Sequence, residues 1–77
     1  MRRLGEVVGA AQSLAVCRAP AGGEIPDLGT PVVDESLDDV GTVVDVFRPV
    51  DRPYLAVSPG AAVHLPGLVG QPLYARS

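Results

Sequence analysis

At 77 residues the chain holds one domain, and a domain this small buries only about 60% of the surface its unfolded chain exposes, so its core is thin. Nine acidic residues outnumber six basic ones, all arginine, for a net charge of −3; affinity built on phosphate neutralisation needs a basic face, so strong direct RNA binding by this chain alone is not expected. The single cysteine, Cys17, closes neither an intramolecular disulfide nor a zinc site, which fits a reducing, intracellular compartment.

Taken in chain order, "MRRLGEVVGAA" starts basic, but Glu6 and two glycines interrupt its apolar run, so it is not a signal-peptide core. Its valines predict a strand from Arg3 to Gly9. "SLAVCRA" predicts a second strand, Leu14 to Arg18, with Cys17 as a small buried apolar side chain and not a nucleophile. "PAGGEIPDLGTP" reads as a barrel connection, leading to a third strand from Pro31 to Asp34. "DESLDD", Asp34 to Asp39, reads as a solvated acidic turn without the glycine and terminal glutamate of a Ca²⁺ loop. A fourth strand, Gly41 to Phe47, runs into "RPVDRP"; a fifth, Tyr54 to Val57, follows. "SPGAAVHLPGLVG" is a Gly/Pro/Ala connection in which the lone His64 is a solvent-facing spacer and not a metal ligand. Pro72 to Ala75 is the sixth strand.

No window carries a helical apolar stripe for three turns, and no internal repeat or heptad is visible. The expected fold class is all-β. Six short strands favour a small closed six-stranded barrel, because closure removes the edges that a flat sheet would expose. No stretch approaches the roughly 20 apolar residues that span a bilayer, so a cytoplasmic protein without a membrane partner is expected.

Catalytic constellations are missing: there is no G-x-S-x-G, no H-E-x-x-H and no phosphate-cradling G-x-x-x-x-G-K. A non-enzyme that binds a partner, with no cofactor and no metal, is the reading that follows. The fourth strand bears on where it binds. Strict alternation puts Gly41, Val43, Asp45 and Phe47 on one face and Val40, Thr42, Val44 and Val46 on the other. If Val43 and Phe47 point in, Val44 and Val46 point out; the reverse choice exposes Phe47. Either way apolar side chains remain outside, the mark of a protein interface. Pro49 and Pro53 would stiffen the following corner, presenting Phe47, Val50 and Tyr54 with Arg48 and Arg52 as rim charges.

With those residues in view, the chain resembles the archaeal Gar family, subunits of H/ACA RNA-guided pseudouridylation particles. The residues that carry the resemblance are the opening "MRRLGEVVGAA", the stretch "LGTPVVDESLDDVGTVVDVFRPVDRPYLAVSP" with Val40-Gly41, Asp45-Val46-Phe47, Pro49-Val50 and Pro53-Tyr54, and the closing "LVGQPLYA". Arg48 departs from the glycine common in the family, and the resemblance implies that residues 1–77 are a single Gar-type domain, expected without the Gly/Arg-rich or Lys-rich tail of relatives. The resemblance implies a six-stranded barrel of the type shared with translation elongation factors. It also implies a direct partner, the catalytic domain of a dyskerin-type pseudouridine synthase, with guide RNA and the other particle subunits contacted indirectly. In such a particle the subunit is not the enzyme but assists substrate RNA placement and turnover in rRNA pseudouridylation. Carried onto this chain, the partner-binding residues are Val44, Val46, Phe47, Pro49, Val50, Pro53 and Tyr54. Acidic excess without lysine suits a salt-adapted, haloarchaeal host. The alternative is a stand-alone single-stranded nucleic-acid-binding barrel, which would stack bases on Phe47, Tyr54 and Tyr74.

Overall fold

The computed structural model describes residues 2–19, 25–47 and 53–76. Six strands, β1 (Arg2–Ala11), β2 (Leu14–Arg18), β3 (Pro31–Val33), β4 (Asp39–Phe47), β5 (Tyr54–Pro59) and β6 (Pro72–Ala75), are joined before β6 by a single helical turn, α1 (Leu65–Leu68). They close into a barrel in the order β1-β2-β5-β4-β3-β6. Every neighbouring pair is antiparallel. The expected all-β, closed six-stranded barrel is thus the fold, and β2 and β6 coincide with the expected strands.

Two long strands, β1 and β4, each pair on both sides and carry the curvature. In β4 the register slips between Val43 and Asp45 against β5, and β3 slips opposite Val40. Each slip is a β-bulge, an extra residue that bends the strand and resets which face follows. Side chains therefore enter the core at Val40 and Val43, with Val46 packed against it, at every third position and not every second. This corrects the strict alternation read from the sequence: Val43 shares the interior with Val46, while Val44 and Phe47 face out.

The bend needs a residue without a side chain. A Cβ on Gly41 would collide with the backbone carbonyl oxygen of Ser58 on β5, and a Cβ on Gly5 would collide with that of Arg18 on β2. These two contacts are equivalent, and so is much else. The β1 slip between Val7 and Gly9 against β2 matches the β4 slip between Val43 and Asp45 against β5. Gly70 donates to the Val7 carbonyl and Gly29 to the Val43 carbonyl, each at 2.7 Å. Those two glycines share a left-handed backbone, φ 89° and 88°. Across the seam Val16 pairs with Ala56 and Val33 with Tyr74, each with its own equivalent. The barrel is therefore two similar three-stranded halves related by a pseudo-twofold axis. The repeat that the sequence hid is "LGEVV" against "VGTVV" and "LGTPVV" against "VGQPLY"; unequal connections put the two motifs at different spacings, so no fixed period shows.

The interior is filled chiefly by Val7, Cys17, Val43, Leu55, Val57 and Leu73, all essentially inaccessible to solvent. One end is closed by Leu68 of α1, with Val63 and Leu65 beside it. The stretch around His64 thus does more than connect: Pro66 starts a turn that delivers Leu68 to the core, while His64 itself is exposed as expected. Cys17 occupies the place that Val57 takes in the other half, and burial pushes its thiol from 9.0 to about 12.

Two outcomes follow from this packing. Gly41→Ala forces a methyl group into the Ser58 carbonyl and should lower unfolding free energy by about 2–4 kcal/mol, read from urea denaturation. For Cys17, folding favours the protonated thiol. Its contribution to stability is complete below the unfolded value of 9.0 and declines as pH rises toward about 12. Denaturation at a series of alkaline pH values should show a steeper loss for the native chain than for Cys17→Ala.

Candidate docking surface

The outer face of β1, β2, β5 and β4 is built by cross-strand rows. One row follows the register from Phe47 to Tyr54, then to Arg18, then to Glu6. Phe47 is 45% exposed and Tyr54 half-buried. Phe47 and Tyr54 stand directly opposite in register at the end of β4 and β5, where cross-strand neighbours on one face lie within reach of each other. The next row is almost wholly apolar: Val44 and Asp45 bulge opposite Ala56, Ala56 pairs with Val16, and Val16 pairs with Gly9 beside the bulged Val8. Val44 and Val8 are 42% and 40% exposed.

The one carboxylate in that row is turned back on its own strand, where Asp45 Oδ1 accepts the Val46 N–H at 2.8 Å. This local bond fits a bulge, where ladder partners are lost. Beyond β4 and β1 lie the segments that lead into β3 and β6. Leu28 precedes Gly29, which bonds to the Val43 carbonyl, and Val69 precedes Gly70, which bonds to the Val7 carbonyl. Both are exposed, at 64% and 50%. Val8 and Val44 are thus matching exposed valines of the two halves, three strands apart in the closed barrel, with Val16 half-buried and Ala56 buried between them.

Of the residues expected to bind a partner, Val44, Phe47 and Tyr54 stand together on this face. Pro53 is half-buried beside Tyr54, and its carbonyl accepts the Ala19 N–H at 3.0 Å, tying the start of β5 to the end of β2. Val46 is brought to the opposite side, against the core. Pro49 and Val50, with Arg48 and Arg52, lie outside the described residues. Val8, Val16, Leu28 and Val69 were not singled out by sequence reasoning. The signal for Val8 is its place in "GEVVG", the counterpart of "GTVVD" around Val44.

The acidic segment lies beside β3. Asp34 Oδ1 accepts the N–H groups of Ser36 and Asp38 at 2.8 and 3.0 Å, and Asp39 pairs with Arg76 at 2.9 Å. It is a self-capped surface turn. Among the described residues no group of three or more His, Cys, Asp or Glu side chains could hold a metal ion. No helix among them is long and apolar enough to cross a membrane. Comparison with protein-family models and with curated protein sequences finds no match.

The opposed faces of β4 make a direct test. Val44→Asp and Phe47→Ser alter exposed positions and should leave stability within about 0.5 kcal/mol of the native chain, whereas Val43→Ala empties core volume and should cost about 2 kcal/mol. Chemical denaturation of the three variants reads the difference.

Proposed function

We propose that this chain is a non-catalytic accessory subunit of an archaeal H/ACA RNA-guided pseudouridylation particle, acting in the cytoplasm. It docks directly on the catalytic domain of the dyskerin-type pseudouridine synthase and assists substrate RNA placement and turnover in rRNA pseudouridylation. Guide RNA and the other subunits are reached through the synthase. The reading starts from the resemblance carried by Val40-Gly41, Asp45-Val46-Phe47 and Pro53-Tyr54. The observation that supports it best is exposed Phe47 in register with half-buried Tyr54, on the same bulged strand as exposed Val44.

That pair is held by sheet hydrogen bonds on both strands, so docking orders little new backbone and more of the apolar burial appears as affinity. Burial contributes roughly 25 cal/mol per Å² of apolar surface. Arg18, the in-register neighbour of Tyr54, sits at the rim, where a charge guides orientation and association rate more than affinity. Val46 supports this surface from beneath by fixing the strand against the core, and Val44, Phe47, Pro53 and Tyr54 are its exposed part among the described residues.

Calorimetric titration into the host's synthase should give saturable binding with a negative heat-capacity change, weakened about tenfold or more by Phe47→Ala. A chain that binds guide RNA alone, with affinity falling steeply as salt rises, would replace this reading with the stand-alone nucleic-acid barrel.

A further inference from the structure

We infer that the free edge of β1 from Val8 to Ala11 is a strand-addition site, where an extended, uncharged segment of another polypeptide pairs antiparallel with the barrel. The inference is independent of the accessory-subunit reading. Leu14 and Arg18 are the two ends of β2; the edge lies at the Leu14 end, whereas Phe47 and Tyr54 lie at the Arg18 end.

The barrel is closed, but β1 outruns its neighbour on one side. β6 pairs with β1 from Arg2 to Glu6, and the last bonds on that side join the Val7 N–H to the Gln71 carbonyl and the Gly70 N–H to the Val7 carbonyl. Ahead of Gly70 that segment is Val69 and α1, not strand, so beyond Val7 the sheet partner of β1 is β2 alone. Gln12 and Ser13, with φ 53° and 64°, make a two-residue turn of the kind in which the flanking residues, here Ala11 and Leu14, exchange both backbone bonds. In the next pair, Ala10 opposite Ala15, alternation turns the N–H and carbonyl of Ala10 away from β2. Among the described residues neither group has a partner, and Ala10 is exposed.

The matching stretch of β4 is blunted and that of β1 is not. Val46 opposite Leu55 is the counterpart of Ala10 opposite Ala15, and its N–H is taken by Asp45 Oδ1 at 2.8 Å. A carboxylate on an edge deters an added strand. In β1 the place of Asp45 belongs to Gly9, which leaves the Ala10 N–H uncapped and, with Ala11 on the other side, lets a second backbone come close.

What the edge lacks defines its occupant. Ala10 needs a carbonyl for its N–H and an N–H for its carbonyl, side by side, which an extended chain supplies. Val8 to Ala11 carry no charge, and exposed Val8 and Val69 stand at the start of the edge, so apolar side chains fit there and charged ones would lose water without a partner. A lasting pair of whole barrels needs about 800 Å² from each partner. The edge is only about 13 Å long at about 3.3 Å per residue, a length that suits a short segment.

The test adds the capped peptide acetyl-Thr-Val-Thr-Val-Thr-amide, up to about 5 mM, to the isotopically labelled chain and follows its amide groups by NMR, with no synthase present. The expected result is saturable shifts confined to Val8 to Ala11 and their neighbours, with slower hydrogen exchange at Ala10. Gly9→Asp gives β1 the carboxylate that β4 carries, at a position where a Cβ meets nothing within 4 Å, and should weaken binding about tenfold or more. Ala10→Pro removes an N–H that the fold does not use and should do the same. Circular dichroism establishes that each variant is folded, and either one alone suffices if the other is not. A peptide that leaves Val8 to Ala11 unmoved overturns the inference, as does binding indifferent to the substitutions. An Ala10 amide that moves on dilution of the chain without peptide overturns it too, since the occupant is then a second copy.

Discussion

The close approach of bare backbone to backbone at Gly41 and Gly5 is the constraint on which the rest of this barrel depends. At each glycine a long strand passes against the carbonyl of a neighbouring strand, Ser58 in one half and Arg18 in the other, with no room for a Cβ. That approach lets β1 and β4 bend sharply enough to pair on both sides and close a sheet of six short strands. Closure removes open edges, which a domain of this size has no spare secondary structure to cover. Without the bend, β4 would leave the barrel before meeting β3.

Bending by bulges also decides what lies inside and outside. Each bulge shifts the alternation by one residue, so the interior collects Val40 and Val43, with Val46 against it, while Val44 and Phe47 are expelled. A thin core gains from this, because three closely spaced positions of one strand contribute to it. The cost is an apolar outer surface, and the same feature that completes the core creates the candidate docking face. Cys17 fits the same logic: buried in the position that Val57 holds in the other half, its thiol acts as a small apolar group whose ionisation burial opposes.

The two halves give the face its form. Since the pseudo-twofold axis crosses the seam between β2 and β5, residues from both halves meet there, and each half carries one bulged, exposed valine, Val8 on β1 and Val44 on β4. The halves are not identical, however. Phe47 and Tyr54 in the second half correspond to Ala11 and Leu14 in the first by their pairing, so the aromatic corner is unique to one end. Asp45-Val46-Phe47 and Pro53-Tyr54 fall at that corner.

Strand identity was legible in the residues themselves. Valine-rich segments bounded by glycine, proline and acidic turns specify where strands start and stop, because these are local properties of backbone preference and hydrogen-bonding side chains. Closure followed from strand number and length. The outward apolar patch was also foreseeable, since β4 holds more apolar side chains than one face can take. Which of them point out was not: a bulge is set by how two strands meet, so Val46 turned inward although alternation allowed it outside. Nor did the sequence disclose its own duplication, because "GEVVG" and "GTVVD" become equivalent only when their pairings with β2 and β5 are compared. By itself, then, the sequence determined the strands, their closure and an excess of apolar side chains. Tertiary structure alone decided the bulge positions, the pseudo-twofold axis and which valines are expelled to the outside, because these arise from contacts between residues far apart in the chain.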